Sequence, residues 1–219
     1  MLTLAVDTTA EFGSIALGES EVLLHERKGF SGALFGQIEM LLAREGVSLN
    51  DIDLFAGASG PGSFTGVRIG LAAIKGLAEV LGRPAIAISN LEALAEYGSA
   101  DARAAIIDAR RGEIYGAVFD HEGKRVVDET VIRFPKFLEL LGDRAVEWIA
   151  TDFEPFRAAV SGTRFESMPV TIAPRALAAK IGEIAARRLR AGIIADPAAI
   201  EANYVRRSDA ELLFRTSSW

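Results

Sequence analysis

The chain has 219 residues, of which half are apolar, and a formal net charge of −6. This length and composition are typical of a globular protein with one large or two small domains and exclude a disordered chain. The acidic charge disfavours stand-alone binding of nucleic acid, which needs clustered Lys and Arg. Because the sequence has no cysteine, disulfides, thiolate metal sites and cysteine nucleophiles are excluded.

The N-terminus lacks a basic stretch followed by an apolar core, so it does not match a signal peptide. No apolar run approaches the ~20 residues of a membrane-spanning helix. We therefore expect a cytoplasmic protein with no membrane partner.

Apolar runs and alternation predict five strands in the first half of the chain, at residues 2–6, 14–17, 21–27, 54–58 and 85–88. Three helices are predicted beside them, at residues 34–45 with Gly46 as C-cap, at 67–81, and at 89–95 with a Ser89–Glu92 capping box.

The same order then begins again, with strands at 104–108, 113–120, 125–132 and 148–151, a helix from 135 and a long helix over 174–190. An aspartate ends the first strand of each half, and aligning Asp7 with Asp108 also aligns Leu17 with Val118. This predicts an internal duplication, with lobes at 1–99 and 100–219. The alternative is a coincidence between short hairpins. The last helix or the tail is free to pack back on the first lobe.

A glycine-rich loop lies between the strand at 54–58 and the next helix, and its residues are Gly60, Pro61, Gly62, Ser63, Phe64, Thr65 and Gly66. The glycines permit turns that residues with a Cβ resist, and Ser63 or Thr65 supplies an N-cap hydroxyl. Such a loop directs N–H groups towards an anion or a polar partner. The alternative is an ordinary turn that binds nothing. It is not a Walker loop, since no Lys-Ser/Thr pair follows, and its spacing does not fit a dinucleotide fingerprint.

Continued through Val67, Arg68 and Ile69 to Gly70, this loop resembles the signature of the bacterial TsaB family, also called YeaZ. Three further segments agree in the same order, at residues 4–9, 107–115 and 204–206. Together they cover nearly the whole chain. The resemblance implies the actin/Hsp70/sugar-kinase fold, an α/β architecture with two ribonuclease-H-like lobes whose mixed sheets are flanked by helices.

In that fold, the aspartate after the first strand positions the phosphates of a nucleotide through magnesium, a cation that prefers oxygen ligands. Asp7 and Asp108 occupy the two equivalent turns here, and Thr8 and Thr9 add hydroxyls. The alternative is that both aspartates cap turns. Because the second lobe has no glycine-rich phosphate loop, we expect no cofactor beyond weak ATP or ADP with Mg²⁺ at a lobe or subunit interface.

The catalytic relative of the family binds a metal through two histidines four residues apart on an early helix, a spacing that places both on one face. The corresponding segment here has Ser31, Phe35 and Glu39 and no histidine, and His25 and His121 cannot replace the pair by spacing. No Ser-His-Asp triad can be placed either. We expect no catalytic and no metal-binding residue. The alternative is a nucleotide-dependent kinase or a glycoprotease-like metallopeptidase of the same fold.

The resemblance implies a non-catalytic subunit in threonylcarbamoylation of N6 of the adenosine 3′ of the tRNA anticodon. Its partners would be a TsaD-like catalytic subunit and a TsaE-like ATPase, with tRNA contacted only through the complex and a homodimer formed by the chain alone.

Apolar groups surround more of the helix at 34–45 than one buried stripe requires, which is typical of an interface. We assign the interface to Leu34, Phe35, Ile38 and Leu42, with part of the helix at 67–81. The alternative is a core helix between layers.

Overall fold

The computed structural model describes residues 1–25, 30–193 and 196–205. The chain forms two five-stranded mixed sheets, one from each half of the sequence, with helices on their faces. This confirms the predicted α/β fold class. None of the helices within those ranges has the length and apolar character needed to cross a membrane.

The first sheet contains strands β1 (Thr3–Asp7), β2 (Phe12–Leu17), β3 (Ser20–His25), β4 (Leu54–Gly60) and β5 (Ala85–Ser89). Their order across the sheet is β3-β2-β1-β4-β5. The first three strands are antiparallel neighbours, whereas β1, β4 and β5 run parallel. The helices of this half are α1 (Leu34–Glu45), α2 (Phe64–Leu81) and α3 (Asn90–Ala95).

The second sheet repeats the first. Its strands are β6 (Ala102–Arg110), β7 (Glu113–Asp120), β8 (Arg125–Arg133), β9 (Glu147–Ala150) and β10 (Val170–Ile172), in the order β8-β7-β6-β9-β10. The later helices are α4 (Phe134–Leu141), α5 (Arg157–Val160) and α6 (Ala178–Arg190). Short 3-10 turns cover Phe30–Gly32, Leu49–Asp51, Glu154–Phe156 and Pro197–Ala199. The equivalent strand orders support the predicted duplication, although β10 and α5 were not predicted.

One predicted helix start and one predicted cap differ from the structure for clear physical reasons. The helix expected from residue 174 begins at Ala178, because the Ser14 hydroxyl of β2 accepts the N–H groups of Leu177 (3.1 Å) and Ala178 (2.9 Å). Ser89 does cap α3, accepting from Leu91 N. Glu92, expected to complete a capping box, binds Arg188 instead. The strand predicted at 21–27 is present at Ser20–His25, and residues 26 and 27 lie outside the described residues.

The core forms on both faces of the first sheet. Helices α1 and α2 cover one face, where Leu4 and Val6 of β1 are fully buried. Helix α6 covers the other face, with Ile181 and Ile184 packed in the same cluster as Ala5. Helix α3 contacts α6 and both sheets. The last helix therefore packs back on the first lobe, one of the two arrangements that the sequence left open.

The segment after α6 crosses α2 and is held by polar contacts. Lys75 Nζ donates to the carbonyls of Ala198 (3.3 Å) and Ile200 (3.0 Å). Asn203 N donates to Ser59 O of β4 at 2.8 Å, and the Asn203 side chain donates to Glu129 of β8. The crossing segment, residues 196–205, therefore connects α2 and β4 to the second sheet.

Candidate functional site

A cleft of about 590 Å³ lies between the lobes, beside the carboxyl ends of β1 and β6. Of the four residues predicted to bind a nucleotide, Asp7, Thr9 and Asp108 line it. Thr8 does not, because its buried hydroxyl turns away and donates to Gly66 O of α2 at 2.7 Å. The prediction for Thr8 was therefore wrong. The Thr8 hydroxyl instead bonds the turn that follows β1, residues 8 and 9 (the β1 turn), to helix α2.

Asp7 is only 2 % exposed and already has polar partners. Its Oδ1 accepts from Thr9 N (2.9 Å) and Thr9 Oγ1 (2.6 Å), and its Oδ2 accepts from Asn90 Nδ2 (3.1 Å). Burial raises the pKa of the Asp7 carboxyl above its ordinary value, and the bonds from Thr9 and Asn90 oppose that effect. The carboxyl is therefore a structural acceptor at the cleft floor.

We expect the difference in free energy of unfolding between Asp7→Asn and wild type to change in favour of the variant as the pH rises. Since the pKa of Asp7 is raised on folding, the folded state binds its proton more tightly than the unfolded chain. Its contribution to stability is therefore lost as the pH rises above about 3.8. Urea unfolding of both proteins at several pH values from acid to neutral measures this, with Asp128→Asn on exposed β8 as the control. A stability difference that does not change with pH would contradict the argument.

The glycines of the loop permit close packing of α2 on the β1 turn. A Cβ at Gly62 would lie 2.5 Å from Thr9 O, and one at Gly66 would lie 1.9 Å from Thr8 O. A Cβ at Gly70 would lie 2.6 Å from Thr8 Oγ1. The three glycines, spaced four residues apart, thus form one contact surface against Thr8 and Thr9.

The loop's polar groups are largely satisfied inside the protein, against the prediction of an anion site. Ser63 N donates to Thr9 O at 2.7 Å, and Ser63 Oγ accepts from Gly66 N at 3.2 Å as the N-cap of α2. Thr65, the other predicted cap, lies exposed inside the helix. These bonds favour the alternative that the loop is a structural turn.

The remaining residues of the loop form a surface cluster outside the cleft. Arg68 stacks over Phe64, with its guanidinium carbon 3.7 Å from the ring centroid, and donates from Nε to the Tyr204 hydroxyl at 2.9 Å. Pro61, in contrast, is buried and lines the cleft. Arg68 of α2 therefore bonds this helix to Tyr204 of the crossing segment.

Asp108 caps the hairpin between β6 and β7. Its Oδ1 accepts from Arg110 N at 2.8 Å, and its Oδ2 lies 3.5 Å from the Arg110 guanidinium. Arg110 and Arg111 both have positive φ, at 65° and 57°, a conformation uncommon for residues with a side chain. The alternative of a turn-capping role for Asp108 is thus the one that the contacts support.

The fold implies a magnesium nucleotide in this cleft, but these residues do not fit one. Both oxygens of Asp7 are occupied by protein donors, and Ser63 N of the loop is bonded to Thr9. Among the described residues, no group of three His, Cys, Asp or Glu side chains could hold a metal ion.

The structure corrects three of the four interface residues predicted on α1. Leu34, Ile38 and Leu42 are 1 %, 2 % and 5 % exposed and pack against the first sheet, so they belong to the core. Phe35, at the edge of the buried face and seven positions before Leu42, is 51 % exposed. The alternative that α1 is a core helix is therefore correct for the face that packs against the first sheet.

Asn90 and Arg175 are among the cleft residues that the sequence analysis missed. Asn90 begins α3, and Arg175 precedes α6; both line the cleft. The signal for Asn90 was a polar residue directly after a buried strand, the position that also drew attention to Asp7. Nothing in the local sequence marks Arg175.

A family model described as "TsaD: tRNA N6-adenosine threonylcarbamoyltransferase" matches residues 27–210 of this chain. A Haemophilus influenzae relative named "tRNA threonylcarbamoyladenosine biosynthesis protein TsaB" is 40 % identical over 120 residues, 51 % of each chain. The Bacillus subtilis protein of the same name is 32 % identical over 164 residues, 69 % of this chain and 72 % of the relative. The chain thus spans about half the length of the first relative and nearly three quarters of the second.

The fold agrees with a solved structure described as "YeaZ from Pseudomonas aeruginosa". The TM-score is 0.74 at 25 % sequence identity, and the match covers 93 % of this chain and 99 % of that one. A family model that matches most of the chain, a relative aligned over more than two thirds of its length and a shared fold all agree. The chain belongs to the TsaB (YeaZ) family, within the wider TsaD family.

Proposed function

We propose that this protein is a non-catalytic subunit in the formation of N6-threonylcarbamoyladenosine in tRNA, at the adenosine 3′ of the anticodon. The observation that supports this most directly is its similarity to two relatives named as TsaB proteins of that biosynthesis. In this proposal the chain supports a TsaD-like catalytic subunit and a TsaE-like ATPase works with the pair.

The residues of the chain favour a supporting role over a catalytic one. Helix α1 contains no histidine, so the metal-binding pair of the catalytic relative has no counterpart. In the cleft, both carboxylate oxygens of Asp7 accept hydrogen bonds from Thr9 and Asn90. These features count against the alternative of a kinase or metallopeptidase.

The outer face of the first lobe is the best candidate for partner binding. Helices α1 and α2 pack on the same side of the first sheet, and each leaves large apolar groups exposed. Phe35 is 51 %, Met40 66 % and Val80 85 % exposed. Since exposed apolar surface marks interfaces, we assign this outer face, in a partner-binding lobe at residues 1–99, to a TsaD-like subunit or to a second copy. The second lobe, at residues 100–219, contributes helix α6 to the first sheet. The acidic charge suits tRNA contact through the complex.

The proposal is tested in a bacterial strain depleted of its own TsaB. Expression of this chain with the TsaD-like subunit of the same source should restore N6-threonylcarbamoyladenosine, measured by mass spectrometry of digested tRNA. The two proteins should also co-purify. Modification of tRNA by this chain without any TsaD-like subunit would overturn the non-catalytic role. Co-expression that restores no modification would overturn the assigned pathway.

A further inference from the structure

We propose that the two sheets and their helices form one rigid and cooperative unit, so that the cleft between the lobes keeps a fixed width. Two domains of one chain normally move relative to each other unless the surface between them is large and apolar. Here the two halves of the chain exchange helices, and the exchange builds a common core between them. The inference does not depend on the proposed function.

The exchange involves helices α3 and α6. Helix α6 follows the second sheet in sequence, yet it packs against β1, β2, β4 and β5 of the first sheet. Helix α3 follows the first sheet and, besides its neighbours β4 and β5, it packs against β6, β7 and β9 of the second sheet. The two helices also contact each other. Each sheet is therefore covered on one face by a helix from the other half of the sequence.

One buried apolar cluster extends across both lobes. It contains Ala5 and Ile88 of the first sheet, Ala105 and Phe119 of the second, and Leu94 of α3. Each of these side chains is at most 2 % exposed. A rotation of one lobe away from the other would expose this cluster to water, at a cost that grows with the apolar area exposed. The shared cluster therefore opposes a hinge motion of the lobes.

Two ion pairs reinforce the contact between the exchanged helices. Arg187 Nη2 donates to Glu96 Oε1 at 2.7 Å, and Arg188 Nη2 donates to Glu92 Oε2 at 2.7 Å. Glu92 lies on α3 and Glu96 is its C-cap residue, whereas both arginines lie in the last turn of α6. Hydrogen bonds between arginine and carboxylate are charge-assisted and directional. These bonds therefore fix the position of α3 along α6.

The connection from α3 to β6, where a hinge would have to bend, is fixed as well. Glu147 of β9 is 5 % exposed, and its Oε2 accepts from Ser99 N (2.7 Å) and Ala100 N (2.8 Å). A Cβ at Gly98 would lie 2.9 Å from the same oxygen. A hinge needs residues that can absorb a large change in φ and ψ, whereas these are bonded and closely packed. The crossing segment adds a further bridge through Asn203, which bonds to both sheets.

The first test is amide hydrogen exchange of the full chain, followed by NMR under conditions where reclosing is faster than exchange. The slowest amides of β4 and β6 should have the same equilibrium constant for opening, because each sheet opens only when the whole chain unfolds. Two truncations at fully buried positions distinguish one unit from two. Ile74→Ala changes the core between α2 and the first sheet, and Leu141→Ala changes the core between α4 and the second. Each should raise the opening constant about thirtyfold or more, and in both sheets.

A control and a milder variant complete this test. Arg190→Ala, at the exposed end of α6, should leave the exchange unchanged. If Ile74→Ala does not fold, Ile74→Val removes less of the same side chain and should raise both opening constants by roughly two- to tenfold. The proposal is overturned if a truncation affects only its own sheet, or if the two sheets of the wild type differ more than about tenfold in opening constant.

The width of the cleft is measured directly with pairs of spin labels, since the chain has no cysteine of its own. Ala10 and Asp152 are exposed and line the cleft from opposite lobes, so labels on Ala10→Cys and Asp152→Cys report the distance across it. Labels on Ala10→Cys and Glu19→Cys, both in the first lobe, provide the control for a distance within one lobe. We expect both distance distributions to have a single maximum and the same width. A broader or two-peaked distribution across the cleft alone would show that the lobes move and would overturn the proposal.

Discussion

Replacing Gly66 with alanine is expected to reduce the free energy of unfolding by about 3 kcal/mol or more, among the larger effects of a single added methyl group. The new Cβ would lie 1.9 Å from Thr8 O, a backbone atom that cannot rotate away. Helix α2 would have to move off the β1 turn, breaking the bond from Thr8 Oγ1 to Gly66 O. Urea unfolding followed by circular dichroism measures the loss.

Gly76→Ala is the matched control, because it makes the same change in the same helix. No atom lies within 4 Å of a Cβ at Gly76, and the residue is exposed. There alanine should stabilise the protein by about 0.5–1 kcal/mol through its better helix propensity. If both variants unfold at the same urea concentration, the close contact between α2 and the β1 turn is not as described.

Replacing Phe35 with aspartate should leave the chain folded and weaken about thirtyfold the self-association and the binding to a TsaD-like subunit that we propose for it. Phe35 is half exposed in the isolated chain, so its loss creates no core cavity. A central aromatic in an interface typically contributes 2 kcal/mol or more, and the new charge would be buried without a partner. Light scattering after size exclusion and calorimetry with the TsaD-like subunit provide the two measurements.

Two further variants make this result specific. Val126→Asp places the same charge on an exposed strand of the second lobe and should keep both associations. Ile38→Asp, on the buried face of the same helix, should prevent cooperative unfolding, because Ile38 is 2 % exposed. Unaltered association of Phe35→Asp would place the interface elsewhere.

Local patterns were sufficient for most of the fold. The face formed by Leu34, Ile38, Leu41 and Leu42 of α1 is the buried one, because helical periodicity records which side meets the core. The assignment of Leu34, Ile38 and Leu42 to an interface was wrong for the same reason. A side chain that is buried in the core is not available to a partner. Phe35 lies seven positions before Leu42 and therefore at the edge of that face, so only the structure shows that it is exposed.

The candidate site depended on contacts that no local pattern records. Ser14 caps α6 across 163 positions of sequence, and Thr8 meets Gly66 across 58. The glycine motif predicted a loop at the start of a helix, but whether its N–H groups face a ligand or Thr9 depends on which segment folds against it. Asn90 and Arg175 reach the cleft from distant elements, so only the tertiary structure brings them together.

The position of α6 has a consequence for how the protein is made. Strand β1 leaves the ribosome first, yet the side of its sheet that contains Ala5 is covered by Ile181 and Ile184, near the end of the chain. At about 5–20 residues per second, α6 is synthesised roughly 10–40 s after β1, and this side of the sheet remains uncovered in the meantime. A nascent or prematurely terminated chain therefore presents an apolar sheet face to chaperones and proteases, and the first lobe is the last to be completed.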